Sequence, residues 1–215
     1  TILKLSRRRS RLARKDPHTS ELEHVLASNI DQLIVVASYQ KPKLKWGLID
    51  RYLVLAEQEG IPAAIVINKR DLVEEDAKEK QEEFSARVAL YRKLSYPVFL
   101  LQANAEDAES DEATQELGTY LKGKISLFSG HSGVGKSSTI NLFGPEIVQP
   151  VEPDDDIFYK GRHTTTFASF IKLEQGGYVI DTPGIRSFTF DEFGAIDLTN
   201  AFVEFRPYLG KCQFR

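Results

Sequence analysis

Apolar residues along this chain fall into short runs rich in β-branched and aromatic side chains. Between the runs lie stretches in which apolar residues recur every three or four positions. The runs at 33–38, 63–68, 98–102, 125–129, 168–173 and 178–181 predict strands. The stretches at 45–58, 78–94 and 113–122 predict amphipathic helices, and 136–143 predicts another after a glycine-rich turn at 130–135. Strands alternating with helices imply βαβ units and a mostly parallel sheet, an α/β fold. The runs at 168–173 and 178–181 are the exception. They are joined by Glu174-Gln175-Gly176-Gly177 and predict an antiparallel hairpin. No internal repeat is present, and the acidic runs at 74–76, 106–112 and 154–156 read as solvated loops between elements.

Composition agrees with one full domain plus flanking pieces: 215 residues, 41% hydrophobic and 27% charged, which excludes wholesale disorder and collagen-like structure. Apolar stretches such as 63–67 and 98–101 are far too short to span a bilayer, so no membrane association is expected. A single cysteine, Cys212, excludes an internal disulfide and fits a reducing compartment. The basic start is not followed by an apolar segment of a secretory signal, so a cytoplasmic protein is expected; a monomer is the expected state. Charge is uneven. Lys4, Arg7, Arg8, Arg9, Arg11, Arg14 and Lys15 give the first 15 residues +7 with no acid, and with the whole chain at −3 the rest carries −10. Such a strip is either a polyanion contact or a solvated linker or edge strand. The chain starts at Thr1, contains no methionine and stops at Cys212-Gln213-Phe214-Arg215, so both ends are expected to be truncated.

Three motifs carry chemistry. Gly130-His131-Ser132-Gly133-Val134-Gly135-Lys136-Ser137 matches G-x-x-x-x-G-K-S/T between a predicted strand and a predicted helix. Its glycines allow backbone N–H groups to close around phosphate oxygens. Lys136 would reach the β- and γ-phosphates, and the Ser137 hydroxyl would ligate Mg²⁺. Asp181-Thr182-Pro183-Gly184 ends an apolar strand, where Asp181 can hold the Mg²⁺ shell through water and Gly184 can offer its N–H to a γ-phosphate. Asn68-Lys69-Arg70-Asp71 ends another strand. Its Asp71 carboxylate can accept hydrogen bonds from guanine N1–H and N2–H₂, which adenine does not offer, while the Lys69 stem packs along the base. The order is unusual: the base selector at 68–71 precedes the phosphate loop, so one site forms only if the sheet is circularly permuted.

With Ser138 following the phosphate loop, Arg162-His163-Thr164-Thr165-Thr166, and Asp181-Thr182-Pro183-Gly184-Ile185-Arg186, the sequence resembles the ribosome small-subunit-dependent GTPase A family, RsgA or YjeQ. Asn29-Ile30-Asp31 and Ile49-Asp50-Arg51-Tyr52-Leu53 extend the resemblance over nearly the whole chain. It implies a circularly permuted Ras-like P-loop GTPase domain at 16–200. It also implies that 1–15 is the end of an N-terminal OB-fold and its linker, and 201–215 the start of a C-terminal zinc-binding domain. Implied partners are GTP and GDP, the small ribosomal subunit and its 16S rRNA, with a role in late 30S maturation. Implied cofactors are Mg²⁺ and one structural Zn²⁺ in the intact C-terminal domain, with Cys212 as its first ligand; one thiolate alone does not hold Zn²⁺. By the same resemblance Asn68, Lys69 and Asp71 contact guanine, Arg70 belongs with them to the nucleotide-binding set, 130–138 contact the phosphates, and the Ala103 backbone N–H lies behind the base. There Gln102-Ala103-Asn104 replaces the family's usual Ser-Ala-Lys. Thr165 is the expected switch threonine on Mg²⁺ and γ-phosphate, with Thr164 and Thr166 as alternatives.

Ile185 stands where Ras-like enzymes place the glutamine that orients water, so slow intrinsic hydrolysis is expected and another group must act. His163 is the expected catalytic candidate, against a reading in which it has no part in water activation. His131, inside the phosphate loop, either approaches the site or faces solvent, and His18 and His24 precede the first strand. Two function classes remain: an RNA-stimulated GTPase, and a binding module in which GTP only orders switches for ribosome docking. A permuted GTPase serving the large subunit is disfavoured by the Arg162-to-Thr166 stretch and by Ile185-Arg186.

Overall fold

A computed structural model describes residues 6–15, 23–144, 169–181 and 198–211. The strands are β1 (Arg11–Lys15), β2 (Glu23–Ser28), β3 (Gln32–Ser38), β4 (Ala63–Asn68), β5 (Val98–Leu100), β6 (Ile125–Ser129), β7 (Ser169–Lys172) and β8 (Tyr178–Asp181). The helices are α1 (Trp46–Gln58), α2 (Asp71–Glu74), α3 (Lys78–Lys93), α4 (Glu112–Leu121), α5 (Lys136–Asn141) and α6 (Leu198–Ala201), followed by a 3-10 turn at Val203–Tyr208. Six strands form one sheet in the order β5-β4-β3-β6-β8-β7. All its pairings are parallel except β7 with β8, the expected hairpin.

The period-two alternation of strands sorts the core onto both faces of this sheet. Leu33, Val35, Ile65 and Ile67 point to one face and pack with Ile49, Tyr52 and Leu53 of α1 and Phe84, Val88 and Tyr91 of α3. Ile34, Val36, Ala64, Val66 and Phe128 point to the other, against Leu117 and Leu121 of α4 and Ile140 of α5. Strands covered on both sides have no polar face, which is why they read as unbroken apolar runs.

Several expectations change in detail. β5 stops at Leu100 rather than 102, and α5 stops at Asn141 rather than 143, where a turn carries Phe143 back into the core. β1 and β2 form a separate antiparallel ribbon that the apolar pattern did not reveal. His24, expected before any strand, lies within β2 opposite Arg14. The end of the basic segment is therefore one strand of a two-stranded ribbon, and the boundary expected after residue 15 falls between the ribbon's two strands. The ribbon is tied to the start of the sheet: Arg9 pairs with Asp31 at 3.2 Å, its backbone N–H donates to Asn29 Oδ1 at 3.0 Å, and Asp31 Oδ2 accepts from Ile125 N–H at 2.8 Å. These contacts give Asn29-Ile30-Asp31 a structural task at the N-terminal ends of β3 and β6. Among the described residues no helix is long and apolar enough to cross a membrane.

Candidate functional site

The C-terminal ends of the parallel strands share one edge of the sheet. From the neighbours β3 and β6 the order runs outward in opposite directions, to β4 and β5 on one side and β8 on the other. This is the switch point at which open α/β sheets leave a crevice for ligands.

The phosphate-loop motif fills that position, between β6 and α5. Gly130 is buried against β3, where a Cβ would lie 2.0 Å from the Val36 carbonyl oxygen, so no other residue fits. Val134 plugs into the core beside Ile140, and the buried Thr139 hydroxyl donates to Gly135 O at 2.8 Å. Ser132 and Gly133 are exposed, whereas Ser137 and Ser138 are partly covered on the first turn of α5. Lys136 Nζ donates to the carbonyls of Gly130 (2.9 Å) and His131 (3.0 Å), folding the ammonium back over the loop. His131 is exposed, with Nδ1 2.9 Å from its neighbour's carbonyl, Ser132 O.

Asp181 ends β8 in register with Phe128 of β6, next to the start of this loop. Its Oδ1 is buried with no hydrogen-bond partner among the described residues. Burial raises its carboxyl above the ordinary carboxylate value, with Lys136 pulling the other way. The Lys136 ammonium is lowered by burial and held up in part by Asp181. A buried carboxylate oxygen without a partner among the described residues suits the water shell of a hard cation such as Mg²⁺. Among the described residues no group of three or more His, Cys, Asp or Glu converges on a metal position.

The base-selector segment reaches the same place through Asn68. Its side chain is buried and bridges three loops. Nδ2 donates to Val134 O at 3.3 Å, and Oδ1 accepts from Ala103 N–H at 3.0 Å and from Lys69 N–H at 2.8 Å. Gly135 is moulded around this amide, since a Cβ there would lie 2.1 Å from Asn68 Nδ2. Lys69 takes the left-handed conformation at φ +61°, and its ammonium donates to Gly133 O at 3.3 Å and to Lys41 O. Asp71 opens α2, half-buried, and its carboxylate makes no hydrogen bond or ion pair among the described residues. Arg70, expected among the nucleotide contacts, sends its guanidinium to Asp111 Oδ1 at 2.6 Å. An open cavity of about 340 Å³ lies between the 103–109 loop and α5, lined by Ala103, Asn104, Glu106, Ser138 and Asn141.

The structure thus brings together Asn68, Lys69, Ala103, the 130–138 segment and Asp181. His163, Thr164, Thr165, Thr166, Gly184, Ile185 and Cys212 lie outside the described residues. Asp111 was not foreseen as a site residue. Its place just before a helix predicts an N-cap, yet its side chain makes no capping bond, and the 106–112 run is therefore more than a solvated loop.

A family model described as RsgA GTPase matches residues 5–191. The chain is 42% identical over 192 residues to small ribosomal subunit biogenesis GTPase RsgA 1 of Vibrio parahaemolyticus, covering 88% of this chain and 52% of that protein. It is 40% identical over 218 residues to small ribosomal subunit biogenesis GTPase RsgA of Chlorobaculum tepidum, covering 99% and 66%. Among solved structures it is similar to YjeQ from Thermotoga maritima, with TM-score 0.64, 31% identity, and coverage of 94% of this chain and 61% of that one. It is also similar to YloQ, described as a circularly permuted GTPase, with TM-score 0.68, 25% identity, and coverage of 99% and 61%. The chain spans between about half and two-thirds of the length of these curated relatives.

Proposed function

This chain belongs to the RsgA GTPase family, and from that premise we propose that it binds GTP at the C-terminal edge of its sheet and hydrolyses it to GDP and phosphate. In the intact protein the small ribosomal subunit and its 16S rRNA stimulate this turnover, in a cytoplasmic role late in subunit maturation. The observation that carries the reading is the Asn68 bridge. It joins the selector, Ala103 and the phosphate loop, scattered over residues 68–134 and in permuted order, into one pocket wall.

In this reading Asp71 selects guanine, since its carboxylate has no competing partner among the described residues and adenine leaves it unsatisfied. Lys136 exchanges its two carbonyls for the β- and γ-phosphates. Ser137 and Thr165 would hold Mg²⁺, with Asp181 bonding its water shell; the ion neutralises charge on the phosphates when bound. His163 orients the attacking water that Ile185 is unable to orient. Residues 16–200 act as the permuted GTPase domain, 1–15 as the end of an OB-fold and linker, and 201–215 as the start of a zinc-binding domain whose ligands begin with Cys212.

Asp71→Asn tests the selector. The amide no longer accepts from the guanine amine, but it can donate to the C2 carbonyl of xanthine. GTP affinity should fall by about 100-fold, the loss of hydrogen bonds to a charged acceptor, and XTP affinity should rise. Unchanged guanine preference in a binding series would remove 68–71 from the site.

A further inference from the structure

We propose that Arg70 and Asp111 form a positioning latch that sets how sharply the pocket discriminates guanine; this rests on the reading of Asp71 as the base selector. Four contacts zip the selector segment to the chain that follows β5. Leu101 N–H donates to Ile67 O at 2.8 Å, Arg70 N–H to Leu101 O at 3.0 Å, and Ala103 N–H to Asn68 Oδ1 at 3.0 Å. The fourth is the ion pair, which crosses 41 residues to close the far end of the 102–110 loop at 2.6 Å. The loop is thereby fixed at both ends against residues 68–71, and it forms one wall of the open cavity facing α5.

Two features set this pair apart from an ordinary surface ion pair. Asp111 stands at the N-cap of α4 with extended backbone, where an aspartate ordinarily caps its own helix, yet its side chain makes no cap bond. Its second oxygen, Oδ2, is buried with no hydrogen-bond partner among the described residues, so Arg70 is the group that compensates this carboxylate. Arg70 is also the residue immediately before Asp71, with its backbone held to Leu101. The pair is only partly buried, so releasing the guanidinium leaves the carboxylate to what water reaches it and leaves, chiefly, an unanchored residue next to the selector. Both Asp71 and the Ala103 loop then lose their fixed distance from the base, and discrimination falls before phosphate binding does.

The test is the ratio of ITP to GTP dissociation constants in the intact protein. Inosine keeps the ribose, phosphates, O6 and N1–H and lacks only the exocyclic amine, one of the two donors that Asp71 reads. Arg70→Met and Asp111→Asn should each lower this ratio about fivefold or more, GTP losing more affinity than ITP because ITP has only the N1–H bond to Asp71 to lose. The double variant should be no worse than either single variant, because both remove one interaction. Arg70→Lys should retain most of the preference, and Asp111→Asn keeps a residue suited to a helix start, so folding is preserved. A merely structural role would weaken both nucleotides equally and leave the ratio unmoved, and that outcome overturns the latch. Asp71→Asn is measured alongside. If it abolishes the preference while the Arg70 and Asp111 variants keep it, the latch alone falls. If it too leaves the ratio unmoved, the selector reading falls with it.

Discussion

Gly135→Ala should damage the site far more than Gly133→Ala, although both glycines sit in the same loop with positive φ. Gly133 has φ +78°, and a Cβ there would meet only Pro42 Cδ at 3.6 Å, an ordinary contact. Its substitution carries the left-handed backbone penalty, about 1 kcal/mol. Gly135 has φ +90° and carries the same penalty, but its Cβ would lie 2.1 Å from Asn68 Nδ2 and 3.3 Å from Cγ. Asn68 is buried and has three bonds to lose. Moving it leaves the N–H groups of Ala103 and Lys69 without their acceptor. A buried donor left unpaired costs about 1–3 kcal/mol, and Lys69 is only half-buried, so the added loss is about 2–4 kcal/mol. Urea denaturation should therefore give a destabilisation of about 1 kcal/mol for Gly133→Ala and about 3–5 kcal/mol for Gly135→Ala. Asn68→Ala supplies the control, because the remaining Cβ of residue 68 lies 3.9 Å from the new methyl group, a normal contact. In that background Gly135→Ala should cost only the strain, about 1 kcal/mol, leaving about 2–4 kcal/mol of coupling between the two sites. Equal effects at 133 and 135, or an undiminished effect of Gly135→Ala in the Asn68→Ala background, would refute the bridge as the element that joins selector and phosphate loop.

Three further variants address the phosphate and catalytic end of the site. Burial raises the Asp181 carboxyl above its unfolded value, so the nucleotide-free chain binds that proton more tightly when folded. The associated stability is complete below the unfolded carboxylate value near 3.8 and is lost as pH rises through the folded one. Thermal melts without nucleotide or Mg²⁺ should accordingly show Asp181→Asn gaining on the wild type as pH rises from about 4 towards neutrality; parallel curves would mean that the carboxylate is not strained by burial. In the intact protein, Ser137→Ala should weaken Mg²⁺-dependent GTP binding, whereas His163→Ala should spare affinity and cut stimulated turnover by about 100-fold or more. Full stimulated turnover in His163→Ala would make that histidine a bystander.

What the sequence disclosed follows from which forces are local. Leu33 to Val36 and Ala63 to Ile67 read as strands because a strand covered on both faces must be apolar at every position. The 174–177 turn likewise announces its hairpin through Gly176 and Gly177, both at positive φ. The β1–β2 ribbon left no such trace. It buries Leu12, Ala13 and Ala27, and its pairing is a backbone matter among residues such as Arg14, Glu23 and His24. At the site, the segments singled out by glycine spacing and by the residues flanking strand ends meet at one sheet edge in spite of the permuted order. Pairings that depend on tertiary approach stayed hidden. Nothing near Arg70 in the chain points to Asp111, and the capping preference of Asp111 points elsewhere. The bonds of the Asn68 amide to Val134, Ala103 and Lys69 were equally invisible, because they form only when three loops meet.

The most direct test of the central claim is multiple-turnover phosphate release by the intact protein, with GTP or ATP, alone and with small or large ribosomal subunits. Release from GTP alone should be slow, because isoleucine at 185 does not position water, and small subunits should accelerate it strongly. Large subunits should accelerate it far less, and ATP should give little release under any condition. GTP-dependent docking to small subunits without accelerated release would contradict the account and leave a nucleotide-gated binding module. Equal turnover of ATP and GTP would contradict the assignment of residues 68–71 as the base selector.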